Sequence, residues 1–553
     1  METKVVPIVP LGEVFHGIAA PNDTKPAHHT ITVHLPTWNL MLEFVKKDPA
    51  FFAKFVDFYP RFIPHRDIKQ LVGLILNFIK TENTMGLPYP SLKVAKKSVE
   101  FVTANPRTDN VDSVPKEEIS IRAFEMNGLR MYVVLFPLPR QPLVLPWWQN
   151  TGTGISSRFA EDALEDPSSL KEVDPESPRL QWNQEPIQAL TKRIVDLIER
   201  EPIVGPLRKT KVQPSDVYLY TSGMTAIWAV HDCLLQWKYN KCPTVLFGLA
   251  FHQTIHIFEH FGPEIKNLPL ATEYDELEQY LTMQAEKGRP VQAVWVEFPS
   301  NPILVSADLW KLRSICDKHK AVLVVDETIS GFCNVDVVPV ADVIVTSLTK
   351  TFNGYADAIA GSAVLNPNSS FYAELKPIFD EIYGNDLYAR DAQIILDNNQ
   401  DYFPRSTTYN NNAAMLADYF YEESKDPNSP VAKVYYPSVS PTKANYDAFM
   451  RPATKDFKPG YGCLLSVEFD CEETTIAFYD NLKVNDGPHL GAHRTLALPY
   501  VRALYEDHLE EVASMGLKKE QIRISAGLEP ADELLETFKF AVKRASEVRS
   551  KRD

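Results

Sequence analysis

The residues best suited to chemistry stand where apolar runs end. Lys350 directly follows VIVTSLT, so its stem leaves a buried strand. An amine held in apolar surroundings has its charged form disfavoured and becomes available as a nucleophile or base. Ser347 and Thr349 share one face of extended chain by the two-residue period, within reach of an anion beside that amine. Asp326 closes the run AVLVVD. A carboxylate there is costly unless it meets a cation or accepts hydrogen bonds; the cation is a metal, an Arg or a protonated ring nitrogen. Ser222-Gly223-Met224 follows DVYLYT and opens a helix, where unpaired N–H groups favour an anion and Gly lets the backbone approach closely. Pro299-Ser300-Asn301-Pro302 follows VWVEF. Each segment has an ordinary alternative: a routine N-cap for Ser222, a structural ion pair for Asp326, a snorkelling strand-end Lys for Lys350.

These segments belong to a regular alternation between about 180 and 385. Strands are expected at 216–220, 243–249, 291–298, 321–327, 342–348 and 361–367, with helical segments such as AIWAVHDCLLQW and YDELEQYLTMQAE between them. Near-continuous β-branched runs indicate strands buried on both faces of a mostly parallel sheet, joined by right-handed βαβ crossovers. The fold class is α/β, doubly wound. In such sheets ligands sit at the carboxyl ends of the strands, so the four segments converge on one crevice. Residues 1–155 form an N-terminal extension, rich in Pro, with helical pattern plain only at 40–58 and 66–82. The large domain covers 156–385, and 386–553 reads as a smaller α+β domain. Polar stretches at 163–182 and 425–445 read as surface connectors.

Composition removes several classes. The 553 residues carry 57 Lys+Arg against 72 Asp+Glu, a net charge of -15, which argues against a nucleic-acid partner. The 6 Cys are scattered without a CxxC pair, which points to buried thiols in a cytoplasmic protein rather than a disulfide framework or zinc site. Pro7, Pro10 and Glu13 interrupt the apolar start, and LVGLILNFI at 71–79 is about half a bilayer span, so neither a signal peptide nor a membrane helix is expected. His252, His256 and His260 recur at helical spacing, but no carboxylate or Cys is seen to complete a ligand set, and no metal is expected.

An anion cradle, a buried carboxylate and a poised lysine flanked by hydroxyls match pyridoxal 5′-phosphate, with its phosphate, its ring nitrogen and its aldehyde. ADVIVTSLTKTFNGYADAIAGS resembles the lysine signature of the Cys/Met-metabolism family of pyridoxal-phosphate enzymes. YTSGMTAI resembles its phosphate-binding Ser-Gly-Met, VEFPSNPIL its Glu-x-Pro-x-Asn-Pro, and IRISAGLE its C-terminal Arg-x-Ser-x-Gly-x-Glu. LPTW, WWQNTGTGISSRFAE and GPHLG further resemble fungal cystathionine γ-synthases with a long N-terminal extension.

The resemblance implies an aspartate-aminotransferase-like large domain (fold type I). It implies Lys350 as the Schiff-base lysine and proton shuttle, and Asp326 opposite the pyridine nitrogen. Ser222, Gly223, Met224, Ser347 and Thr349 would hold the phosphate, with Thr328 beside the ring. Asn301 and Arg523 would bind the substrate carboxylate. The ring-stacking Tyr of the family is matched here by Phe251. The family's Tyr-x-Arg aligns with Ser156-Ser157-Arg158, so Arg158 fits and the Tyr does not; Tyr59 and Arg61, in FYPRFIPHR, are the second choice. His489 and His493 are candidates for the substrate entrance, and Trp147-Trp148 for packing the extension onto the core. The implied activity is γ-replacement on an O-acyl-L-homoserine, O-acetyl-L-homoserine above all, through a β,γ-unsaturated intermediate, in a homodimer or homotetramer with shared active sites. The segment Asn353 to Asp357 departs from the Ser-Gly-rich housekeeping version. That leaves room for a carbon or other non-cysteine nucleophile in secondary metabolism; a non-catalytic relative is the remaining alternative.

Overall fold

The computed structural model describes residues 15, 17–19, 27–178, 183–205 and 208–552. The start bearing Pro7, Pro10 and Glu13 lies outside them, as does the end of the 163–182 stretch. A seven-stranded sheet forms the centre, in the order Val217–Tyr220, Gly361–Leu365, Val343–Thr346, Val322–Asp326, Ala293–Glu297, Thr244–Phe247, Ile265–Leu268. Gly361–Leu365 runs antiparallel to both neighbours, and the remaining pairs are parallel. All six expected strands are present; the seventh, Ile265–Leu268, carries Lys266 and Asn267 at the sheet edge and gave no apolar run.

The two-residue period explains why both faces are covered. Leu323 and Val325 pack with Leu190, Ile194 and Leu312 on one side. Val322 and Val324 pack with Ala226 and Val230 on the other. Each such side chain contributes roughly 1.5–3 kcal/mol when removed from water, which makes the strand register costly to change.

The N-terminal region holds an antiparallel sheet that its Pro-rich texture concealed, in the order Thr84–Tyr89, Leu129–Pro137, Ser120–Met126, Lys171–Val173. The last strand lies beyond 155, so this layer runs into the stretch read as a connector. One face packs on the helix Arg66–Phe78; the other joins the large-domain core, with Trp147 edge-on to Trp228 at 5.7 Å. Ahead of the sheet, residues 27–65 cross the molecule as a strap. An aromatic cluster of Phe15, Phe51, Phe55 and Phe58 holds it. A clasp closes it: His28 Nε2 meets Asp67 at 2.7 Å, and His65 Nε2 donates to the His28 carbonyl at 2.9 Å.

The C-terminal sheet runs Val431–Tyr435, Leu464–Phe469, Gln521–Ser525, Leu496–Leu498, Asn485–Asp486. The 425–445 stretch is therefore no simple connector: it supplies an edge strand that buries Val431 and Val434. The 22-residue helix Tyr402–Glu423 begins with Tyr402 in the large-domain core and continues with Ala413, Leu416 and Phe420 in the small-domain core. The large-domain core also takes Leu387, Ala392 and Ile395, beyond residue 385. Among the described residues no helix is long and apolar enough to cross a membrane, and no two cysteines are joined in a disulfide.

Candidate active site

The sheet brings the expected segments to one edge. Ser222 ends the turn after Val217–Tyr220 and caps the helix Gly223–Trp237, its side chain accepting the Thr225 N–H at 3.0 Å. This is the ordinary N-cap, but its surroundings are not ordinary. A Cβ on Gly223 would lie 2.6 Å from the Ser347 Cβ, and one on Gly361 would lie 2.3 Å from the Ser222 carbonyl oxygen. The helix start, Ser347 and the strand Gly361–Leu365 are thus packed backbone to backbone, which only glycine permits.

Asp326 ends its strand beside Thr328, whose N–H donates to Asp326 Oδ1 at 2.9 Å. The Thr328 hydroxyl oxygen accepts the Ser347 N–H at 2.8 Å, so the carboxylate and the loop carrying Lys350 share one intermediary. Burial pushes Asp326 up to about 6, with the hydrogen bonds from Thr328 opposing it. A cation facing that carboxylate would be strongly favoured. Thr349 is fully buried, its hydroxyl donating to the Ala360 carbonyl at 3.1 Å.

Lys350 is tuned by its neighbours. Burial first, then Arg523 and Arg61, lower its amine to about 7. The Tyr59 ring lies 5.0 Å from Nζ, and the Tyr59 hydroxyl faces Thr349 and Arg61. On the small-domain side Arg523 Nη1 donates to Asn301 Oδ1 at 3.3 Å and Nη2 to the Pro488 carbonyl at 3.1 Å, with the guanidinium over Tyr500 at 4.3 Å. Phe251 begins the helix His252–Phe261, with Arg61 5.9 Å from its ring centre and its N–H donating to Glu297 at 2.6 Å.

Two arginines behave differently from the sequence expectation. Arg158 is buried and already paired: Nη1 lies 3.1 Å from Asp391 Oδ1 and donates to the Asp357 carbonyl at 2.7 Å. Arg61 is buried too, but its donors meet neutral groups, the Gln149 carbonyl at 2.5 Å, the Gln253 side chain and the Tyr59 hydroxyl. Its Nε has no partner, and burial lowers it to about 10. Both line a cavity with Gly152, Thr221, Ser222 and Asp357. The second choice from the sequence, Tyr59 with Arg61, is the pair that the fold sets beside Lys350.

His489 is also in the site, 3.2 Å from Lys350 Nζ, whereas His493 meets the Ala19 carbonyl at 2.8 Å and braces the N-terminal segment. The helix His252–Phe261 corrects one reading: Glu259 does join His256, at 3.0 Å, and approaches His260, while His252 packs on Tyr505. Three ligands from one helix face with an exposed carboxylate do not close a tetrahedron. The clasp of His28, His29, His65 and Asp67, which the sequence did not suggest, is satisfied by internal hydrogen bonds.

A mixed, mostly parallel sheet presenting a lysine and a carboxylate at one edge defines the fold type I class, whose members use pyridoxal phosphate. The chain belongs to the Cys/Met metabolism family of PLP-dependent enzymes, matched over residues 211–543, and residues 67–156 match the N-terminal domain of fungal trans-sulfuration enzymes. It is 32% identical to the alanine racemase ungC of Aspergillus violaceofuscus, over 97% of each chain. It is 30% identical to the cystathionine gamma-synthase-like enzyme iboG1 of Amanita muscaria, over 96% of this chain and 98% of that one. The cystathionine gamma-synthase of Neurospora crassa is 27% identical over 96% and 98%. Among solved structures, the cystathionine gamma synthase of Xanthomonas oryzae pv. oryzae in complex with cystathionine shares the fold, with TM-score 0.51 at 20% identity, covering 65% of this chain and 98% of that one. The protein is therefore a cystathionine gamma-synthase-like, PLP-dependent enzyme.

Proposed function

We propose that this enzyme catalyses γ-replacement on an O-acyl-L-homoserine, with O-acetyl-L-homoserine as the electrophile. The observation that carries the reading is the pair of buried guanidinium groups, Arg61 and Arg523, that flank Lys350 without a carboxylate salt bridge among the described residues. Buried cations are costly unless matched by anions, so the pair calls for ligands with two negative ends and an amine-reactive centre between them. A cofactor phosphate and an amino-acid carboxylate meet that description.

In this reading Arg61, Ser222, Gly223, Met224, Ser347 and Thr349 hold the phosphate at the helix start. Asp326 faces the ring nitrogen, Thr328 and Phe251 lie against the ring, and Arg523 with Asn301 holds the substrate carboxylate in a forked contact. Bound pyridoxal phosphate supplies an electron sink that acidifies the hydrogen on the substrate Cα. Lys350, lowered to about 7, is neutral often enough at physiological pH to take that proton and to return one later. Arg158, held by Asp391 and Asp357, shapes the cavity wall. The assembly expected from the family, a homodimer or homotetramer with shared sites, belongs to the same proposal and is tested by light scattering on the eluted protein.

The segment after the lysine favours a non-cysteine nucleophile as the second reading. Asn353 is fully buried, and Asp357 lines the cavity and binds Arg158, so its departure from the housekeeping version is internal and not a surface variation. Product analysis with O-acetyl-L-homoserine and a panel of thiols and carbonyl compounds separates the two. Cystathionine with stoichiometric acetate supports the first; an adduct of a carbonyl compound supports the second. Exchange of the Cα hydrogen of L-alanine with no acetate released from the homoserine ester would replace both with a racemase.

A further inference from the structure

Lys350 and His489 make a contact that the chemistry above does not use. Their nitrogens, Nζ and Nδ1, are 3.2 Å apart. His489 is 2% exposed, and its Nε2 has no partner. Its loop is fixed on two sides: the Pro488 carbonyl accepts from Arg523, and the Gly491 N–H donates to Ser525 Oγ at 2.8 Å. A Cβ on Gly491 would lie 2.9 Å from the Lys350 carbonyl carbon, so loop and lysine backbone are in direct contact.

The groups facing this ring are Lys350, Arg523 and His493, with Tyr59 6.4 Å away centre to centre. Burial first, then the nearby Lys350 and Arg523, hold the imidazole neutral. A neutral imidazole has one lone pair, and an amine acting as a base needs its own lone pair unoccupied. Both conditions are met if Nδ1 accepts an N–H of Lys350 and the ring proton sits on Nε2.

We propose that His489, in its Nε2–H form, is a positioning residue that accepts one N–H of Lys350 at Nδ1 and thereby turns the amine lone pair toward the substrate Cα. The amine takes the Cα proton and becomes an ammonium; His489 neither gains nor loses a proton. This rests on the reading of Lys350 as the proton-transfer group.

The test compares His489→Asn, His489→Gln and His489→Ala. An Asn amide falls near the Nδ1 position and a Gln amide near Nε2. Exchange of the Cα hydrogen of O-acetyl-L-homoserine in D2O, followed by NMR, is expected to slow about 10- to 100-fold in the Ala and Gln variants, with KM within about threefold, and about fivefold or less in the Asn variant. A second measurement needs no turnover: acetic anhydride labelling of Lys350 in the apoenzyme, read by peptide mass against pH. Its midpoint is expected to fall in the Ala and Gln variants, because an acceptor favours the ammonium, and to hold in Asn. A Gln variant equal to or better than Asn, or all three within about twofold of wild type in both measurements, overturns the proposal. Borohydride trapping of the cofactor on Lys350 keeps the two ideas apart. A wild-type enzyme without the trapped label sinks the cofactor assignment and this proposal with it, whereas a labelled enzyme indifferent to His489 sinks this proposal alone.

Discussion

Glu297 and Asp326 are register partners on adjacent parallel strands, two carboxyl groups side by side at the sheet edge, Glu297 buried and Asp326 half-buried. Burial and the neighbouring Asp326 raise Glu297 well above the usual carboxylate range, while Asp326 rises only to about 6. Of the two, Glu297 is pushed further toward its protonated form, and Asp326 is the readier to ionise. Asp326→Asn is expected to lower turnover about 100-fold or more, the scale of removing a preorganised electrostatic partner. Glu297→Gln, which copies the protonated acid and still accepts the Phe251 N–H, should stay within about threefold of wild type. Equal losses in the two variants would contradict this division of charge.

The lowered amine of Lys350 has a consequence for stability. Below about pH 7 the folded and unfolded chains both carry the charge, and the folded chain bears the cost of a buried ammonium. As pH rises from about 7 toward 10.5 the unfolded chain binds more protons, so the folded apoenzyme gains stability through that window. Lys350→Met should therefore melt higher than wild type at pH 6, by about 3 °C or more, with the gap clearly narrower at pH 9. Thermal midpoints of the two apoproteins across that range decide it; a gap independent of pH would refute it.

Arg61 and Arg158 line one cavity but should fail in different ways. Arg61→Met removes an unpaired cation, so cofactor binding should weaken about 100-fold while the apoprotein melts no lower than wild type. Arg158→Met strands the buried Asp391, and breaking such a pair costs about 3–5 kcal/mol. Fluorescence titration with the cofactor, beside denaturant melts of the apoproteins, separates the two effects.

Arg523→Lys keeps the charge and loses the fork that spans Asn301 and the Pro488 carbonyl. Its KM for the amino-acid substrate should rise about 10- to 100-fold with the cofactor still bound, as read by initial rates and visible absorbance. An unchanged KM would place the substrate carboxylate elsewhere.

The central sheet was readable because its strands are buried on both faces and stand out as apolar runs. Ile265–Leu268 escaped, being an edge strand with polar residues. In the N-terminal sheet, Gly86 and Pro88 interrupt Thr84–Tyr89, so strand propensity gave no signal there. Lys350, Asp326 and Ser222 stood out because each lies at or within a few residues of the carboxyl end of an apolar strand. Arg61 stood second to Arg158, which fitted the family's Tyr-x-Arg alignment, and only the strap, folded back by its aromatic cluster and histidine clasp, returns Arg61 to the Ser222 turn. The contact of His489 with Lys350 spans 139 positions and depends on how the small domain docks, which no local pattern encodes.

The helix Tyr402–Glu423, about 33 Å of continuous rod, is rooted in two hydrophobic interiors at once. A chimaera built with a relative must therefore splice before Tyr402 or after Glu423. A junction placed midway would oblige one rod to fit two foreign interiors, and the C-terminal portion cannot be excised as a free-standing module without taking a piece of its neighbour along.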